Sequence, residues 1–207
     1  MKRKNIYKMV FLGESTVGKT SISTRFVFKR FSEFTDHTIG AAYNCISTGD
    51  IGFDIWDTAG QERFDSLMEL YYRDANIILL VFDISNPYTV KKLHHYIKKI
   101  NDFYKQDYKC VIVGNKKDLV SEEELKRIDK DIRKQFDQYD LDFRYRYVSA
   151  KTNDNINSLL DDIVLLCSDI ELDDEESDKE ILDLNTNKTK YWYSGLTSTL
   201  YSYTRYC

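Results

Sequence analysis

Residues 13–20 read Gly13-Glu14-Ser15-Thr16-Val17-Gly18-Lys19-Thr20. Glycines at the first and sixth places let the backbone turn tightly, so that successive N–H groups face one concavity. That concavity, followed by a helix N-terminus, suits a polyphosphate. Lys19 adds a positive charge for the β- and γ-phosphates, and the Thr20 hydroxyl can ligate Mg²⁺. Taken alone the loop leaves the base open, and it does not separate a kinase from a switch. Two further runs bear on the base: Asn115-Lys116-Lys117-Asp118 and Ser149-Ala150-Lys151. A carboxylate such as Asp118 accepts from both N1–H and the exocyclic amine of guanine. Against adenine, which has no N1–H and no amine at the same position, it would stand unpaired. A third run, Asp57-Thr58-Ala59-Gly60-Gln61-Glu62, supplies parts for phosphoryl chemistry. Asp57 can hold Mg²⁺, Gly60 can offer its N–H to a γ-phosphate, and Gln61 can orient the attacking water.

These runs need elements to hold them. Residues 7–12 are a compact β-like run ending at Gly13, and helical character follows over 20–29. Runs 42–48 and 51–56 flank Gly49-Asp50, the signature of a tight hairpin. Residues 77–82, 110–113 and 143–148 read as further strands, the first two as continuous buried runs. Val90, Leu93, Ile97, Ile100 and Tyr104 recur at helical spacing, as do Leu125, Ile128, Ile132 and Phe136, and then Ile156, Leu159, Leu160, Ile163 and Val164. Strand and helix alternating in this order predict an open, mostly parallel α/β sheet with helices on both faces. All four chemical runs begin at the carboxyl ends of strands, where such sheets bind ligands.

Composition excludes several classes. The chain has 207 residues with a net charge of −4, so it lacks the basic footprint of a nucleic-acid binder. Four cysteines stand far apart, at 45, 110, 167 and 207, with no CxxC pair. They form neither a disulfide framework nor a zinc site, and Cys45, Cys110 and Cys167 read as reduced thiols of a cytosolic protein. Met1-Lys2-Arg3-Lys4 lacks the apolar core of a signal peptide. Composition changes near Ser168. Between Asp169 and Asp183 there are nine acidic residues against one Lys, and from Leu184 to Cys207 five Tyr and no acidic residue. The expected organisation is a nucleotide-binding domain over 1–168 and a flexible tail over 169–207, acidic and then Tyr-rich.

The motifs GESTVGKT, TIGAAY, WDTAGQERF, NKKD and SAK, in that order, resemble the Rab family of Ras-superfamily small GTPases over about residues 5–167. Trp56 before Asp57 and the later Tyr71-Tyr72-Arg73 resemble Rabs more than Ras or Rho proteins. Ile39-Gly40-Ala41-Ala42-Tyr43 resembles the early-endosomal subgroup. The resemblance implies the P-loop NTPase fold, three layers around a mostly parallel six-stranded sheet. It also implies a monomeric GTP/GDP switch that hydrolyses GTP slowly and recruits effectors in its GTP form.

By the same resemblance Thr38 joins Thr20 and Asp57 at Mg²⁺ and senses the γ-phosphate. Phe31 packs against guanine, Lys116 lies along it, and the Ala150 N–H meets its carbonyl oxygen. Asn115, Ser149 and Lys151 complete the base site, while Ser15, Thr16, Val17 and Ser21 surround the phosphates. Gln61, Lys19, Thr38 and Gly60 form the catalytic set. Tyr43, Trp56 and Tyr71 form the surface that effectors read, and a GEF, a GAP and a GDI or escort protein are the other implied partners. The implied place is the cytosol, with reversible association to endosomal or vesicular membranes.

The chain departs from the pattern in three places. The hairpin between residues 41 and 56 is shorter than in most Rabs. Thr16 replaces a smaller residue. Rabs typically end in two cysteines, whereas this chain ends Tyr206-Cys207. Three readings of that end stay open: a single prenyl group on Cys207, weak membrane association, or a cysteine with no such role. Two other functions compete with the switch. A small P-loop kinase would want an acceptor pocket and lid arginines, and a nucleotide-locked scaffold would not hydrolyse.

Overall fold

The computed structural model describes residues 5–60, 68–103, 108–139, 141–168 and 170. All belong to the first of two units, Met1–Ile170 and Glu171–Cys207. Gln61, the acidic and Tyr-rich segments and Cys207 lie outside the described residues.

Six strands form one sheet: β1 (Asn5–Leu12), β2 (Ala41–Thr48), β3 (Ile51–Thr58), β4 (Ile77–Asp83), β5 (Lys109–Asn115) and β6 (Phe143–Tyr147). Their order is β2-β3-β1-β4-β5-β6. Among the described strands, β2 and β3 alone pair antiparallel. The other pairs are parallel, so β1, β3, β4, β5 and β6 present their carboxyl ends along one edge. Connections from β1 lead to one side of the sheet and those from β4 to the other. The loop after β1 therefore opens at the switch point where a ligand crevice forms.

Among the described residues five α-helices cover the sheet: α1 (Lys19–Phe28), α2 (Met68–Tyr72), α3 (Tyr88–Phe103), α4 (Glu122–Phe136) and α5 (Ile156–Cys167). Every residue of β4 is buried, which is why its sequence is an unbroken apolar run closed by one Asp. Alternate side chains separate the two faces. Val10, Leu12, Ile78, Leu80 and Phe82 pack with Leu93, Ile97 and Ile100 of α3 and Ile132 and Phe136 of α4. On the other face Phe11 meets Phe26 of α1 at 6.1 Å between ring centroids, and the Tyr7 hydroxyl donates to the Cys167 carbonyl of α5.

The expected strands and the helices α1, α3, α4 and α5 all form. Helix α2 carries too few residues for a helical period to show in the sequence. The short hairpin keeps full pairing: Ala41–Thr48 match Thr58–Ile51 one for one, with Tyr43 opposite Trp56. Gly49 turns the chain at φ 61°, a conformation that glycine adopts without a Cβ clash. Cys110 and Cys167 are buried free thiols. Cys45 sits partly exposed on edge strand β2, whereas Cys110 and Cys167 are enclosed. No helix among the described residues is long and apolar enough to cross a membrane.

Candidate functional site: a nucleotide cleft at the strand ends

The loop after β1 turns into α1 at Gly18, whose φ is 95°. A Cβ at this position would lie 2.2 Å from the Asn115 amide nitrogen, so no other residue fits. Helix α1 begins without a side-chain cap and without an acidic residue in its first turn. Helix α4, by contrast, carries a full Ser121–Glu124 capping box. The N–H groups and positive dipole end of α1 therefore stay available to an external anion. Lys19 is 5% exposed, and its ammonium donates to the carbonyls of Gly13 and Glu14, each at 2.9 Å. Burial pushes its pKa down to about 8, against the pull of Asp57 and Glu14.

Three oxygen side chains, from the first turn of α1, the segment leading into β2 and the end of β3, meet beside this lysine. The Thr20 hydroxyl donates to Asp57 Oδ2 at 2.7 Å, and the Thr38 hydroxyl lies 3.1 Å from that of Thr20. Asp57 is 1% exposed. Its Oδ1 is buried without a hydrogen-bond partner, and burial raises its pKa against the opposing effects of Thr20, Lys19 and Thr38. An orphaned, desolvated carboxylate oxygen with two hydroxyls alongside fits a hard divalent cation that keeps its other positions for phosphate and water. Among the described residues no cluster of three His, Cys, Asp or Glu competes as a metal site.

The loop after β3 comes close to the phosphate loop. A Cβ on Gly60 would stand 2.4 Å from backbone atoms of Glu14 and Ser15, so the two loops meet backbone to backbone. The Ala59 N–H donates to the Gly40 carbonyl at 2.8 Å, and Thr58 Oγ1 donates to the Phe11 carbonyl at 2.6 Å. These bonds tie the Thr38 segment, β3 and β1 into one frame.

The second half of the cleft lies beyond β5 and β6. Asn115, 2% exposed, donates from its amide to the Val17 carbonyl at 2.9 Å and accepts from the Ala150 N–H at 3.1 Å. One side chain thus links the phosphate loop to the Ser149–Lys151 loop. Ser149 Oγ donates to Asp118 Oδ1 at 2.5 Å and orients that carboxylate on the cleft wall.

The cleft encloses about 430 Å³. Of the residues picked from the sequence, Ser15, Thr16, Gly18, Lys19, Thr20, Ser21, Phe31, Thr38, Gly60, Asn115, Lys116, Asp118, Ala150 and Lys151 line it. Gly13, Val17, Asp57 and Ser149 stand directly behind that lining and hold it. Thr16 has φ 65°, a left-handed conformation unusual for a β-branched residue.

Two supporting residues were not legible in the sequence. Arg25 of α1 donates to the carbonyls of Ala150 (2.7 Å) and Lys151 (2.8 Å), with its guanidinium 5.8 Å from the Phe31 ring centre. Asp83 pairs with Lys116. Neither belongs to a recognisable motif, because each acts through a backbone or side chain distant in the chain. Away from the cleft, the Tyr43 and Trp56 ring centroids lie 5.4 Å apart and those of Trp56 and Tyr71 5.9 Å apart. The Tyr43 hydroxyl donates to Asp54 at 2.7 Å.

An uncapped helix start behind a glycine loop, at the switch point of a mostly parallel sheet, defines a P-loop nucleoside-triphosphate-binding protein with the α/β fold of that class. The family model of the Ras family matches residues 8–169. The chain belongs to the Ras family, whose members are guanine-nucleotide-binding switches, are generally GTPases, and interact with exchange factors, GTPase-activating proteins and effectors.

Proposed function

We propose that this chain is a Mg²⁺-dependent GTP switch of the Rab kind, serving vesicular or endocytic traffic. The observation that carries the switch reading is the meeting of Thr20, Thr38 and Asp57 around an unpartnered buried oxygen. Thr38 lies in the segment that leads into β2, and Asp57 precedes Gly60. A ligand held there would therefore set the position of both segments.

In this reading Lys19 and the N–H groups at the start of α1 hold the β- and γ-phosphates. The Asp118 carboxylate accepts from guanine N1–H and its amine, the Ala150 N–H donates to its carbonyl oxygen, and Phe31 and Lys116 bracket its faces. Mg²⁺, when bound, neutralises phosphate charge and orders the two segments. Gln61 orients the water that attacks the γ-phosphorus, and GDP leaves with inorganic phosphate. Loss of the γ-phosphate removes the contacts of Thr38 and Gly60, and both segments relax. No arginine lines the cleft among the described residues, so intrinsic turnover is slow. A GAP would supply the missing charge, worth about 10³–10⁵ in rate.

The aromatic run Tyr43–Trp56–Tyr71 supports effector binding in the GTP form, because clustered, partly exposed aromatics are frequent binding hot spots. A single prenyl group on Cys207 and a GDI or escort protein complete a cycle between cytosol and endosomal membranes. The test is single-turnover hydrolysis. Wild type should convert bound GTP to GDP slowly and ATP not at all, and Gln61→Leu should slow this more than about tenfold while GTP affinity holds. Unchanged GAP-stimulated turnover in that variant removes Gln61 from the mechanism. No turnover in wild type, with or without a GAP, points to a nucleotide-locked scaffold.

A further inference from the structure

Asp83 closes β4 and is 7% exposed. Its Oδ1 accepts from the Ser85 N–H at 2.9 Å and from the Ser85 hydroxyl at 2.7 Å. Its Oδ2 stands 2.6 Å from the Lys116 ammonium. Its own N–H donates to Thr89 Oγ1 at 3.0 Å, which fixes the strand end to the start of α3. The carboxylate is thus held by two bonds from Ser85, and its backbone by Thr89, before it meets the lysine.

Asp83 does not line the nucleotide cleft, whereas Lys116 does. The lysine is anchored at both ends. Its backbone is at φ 67°, between buried Asn115 and the 3₁₀ turn Lys117–Leu119, and its ammonium is tied to a group outside the cleft. The part left facing a ligand is the methylene stem, an apolar bar against which a flat base can lie.

We propose that Asp83 is a positioning residue for nucleotide retention, acting by holding the Lys116 side chain in place before the base arrives. A free lysine loses rotamer freedom when a ligand orders it, and that loss weakens binding. The ion pair takes the loss in advance. The inference rests on the base site proposed above, with Lys116 along the guanine.

The test is a double-mutant cycle on the full chain loaded with fluorescent GDP and Mg²⁺, read as the GDP dissociation rate. Asp83→Asn should speed release on the order of tenfold, the effect of losing one charge-assisted contact. In the Lys116→Ala background the same change should alter release by less than about twofold, because its route of action is gone. Asp83→Glu, which keeps the charge but displaces it, should give an intermediate rate that also disappears in that background. Release of IDP, which lacks the guanine 2-amine, should accelerate by the same factor as GDP, since the stem covers the face of the base and not its edge. An undiminished Asp83→Asn effect in the Lys116→Ala background overturns the proposal. So does release at the wild-type rate or slower in the single variant. Failure of the base site would show separately, as wild-type protein that holds ADP as long as GDP.

Discussion

Replacing Lys19 by Met should abolish triphosphate binding and at the same time stabilise the nucleotide-free protein. The lysine is 5% exposed, and burial moves its pKa from 10.5 to about 8. The folded, nucleotide-free state therefore holds this proton less tightly than the unfolded chain does. At pH 7 that difference destabilises the fold by about 3 kcal/mol. The penalty is complete below pH 8 and fades as pH rises towards 10.5. Met keeps most of the stem packing and removes the charge. Against this, the Gly13 and Glu14 carbonyls lose their donor, at about 1 kcal/mol each. The net gain is about 1 kcal/mol at pH 7. Urea unfolding of both proteins without nucleotide measures it, and at pH 9 the gap should shrink by about 1 kcal/mol. A Lys19→Met protein less stable than wild type at pH 7, or a gap that widens at pH 9, would show that the buried charge does not destabilise the nucleotide-free fold. A polyphosphate supplies the counter-charge that Lys19 needs, so the same burial that destabilises the nucleotide-free protein strengthens the bound one.

Other perturbations have defined outcomes. Gly60→Ala puts a methyl 2.4 Å from the phosphate-loop backbone; it should lower the melting temperature and suppress single-turnover hydrolysis, and a variant unchanged in both would contradict the close approach. Thr16→Gly relieves a β-branched residue at φ 65° and should stabilise the chain by about 1 kcal/mol in urea unfolding; equal or lower stability would show that the strain is compensated. Arg25→Gln removes the two bonds that hold the Ala150–Lys151 carbonyls; GDP should dissociate several times faster, on the order of one lost charged hydrogen bond, and an unaltered rate would limit Arg25 to packing.

Much of the fold is legible because β4 and β5 are long apolar runs and α3 and α4 carry clean helical stripes. The site motifs are equally legible, since the runs that hold Gly18, Lys19, Asn115 and Asp118 start at the ends of β1 and β5 and their local spacing sets the geometry. Asn115 is the instructive case. Its type and place are evident in the sequence, but its work as a brace between Val17 and Ala150 appears only once β1, β5 and β6 are side by side. Arg25 and Asp83 were not legible for the same reason: their partners, Ala150 and Lys116, are 125 and 33 positions away, and no short pattern encodes such contacts. Helix α2 was missed because Met68–Tyr72 is about one turn and a half, below the length at which periodicity speaks.

In the proposed site the cleft holds guanine nucleotide through Asp118, braced by Ser149 at 2.5 Å. The most direct measurement is the affinity of the Mg²⁺-loaded protein for GDP and GTP against ADP and ATP, in wild type and in Asp118→Ala. The expected result is a preference for guanine of at least about a thousandfold, the discrimination available to a site built to pair a donor edge, and its collapse in the variant. Comparable affinity for adenine and guanine nucleotides in wild type, or an undiminished preference in Asp118→Ala, would contradict it.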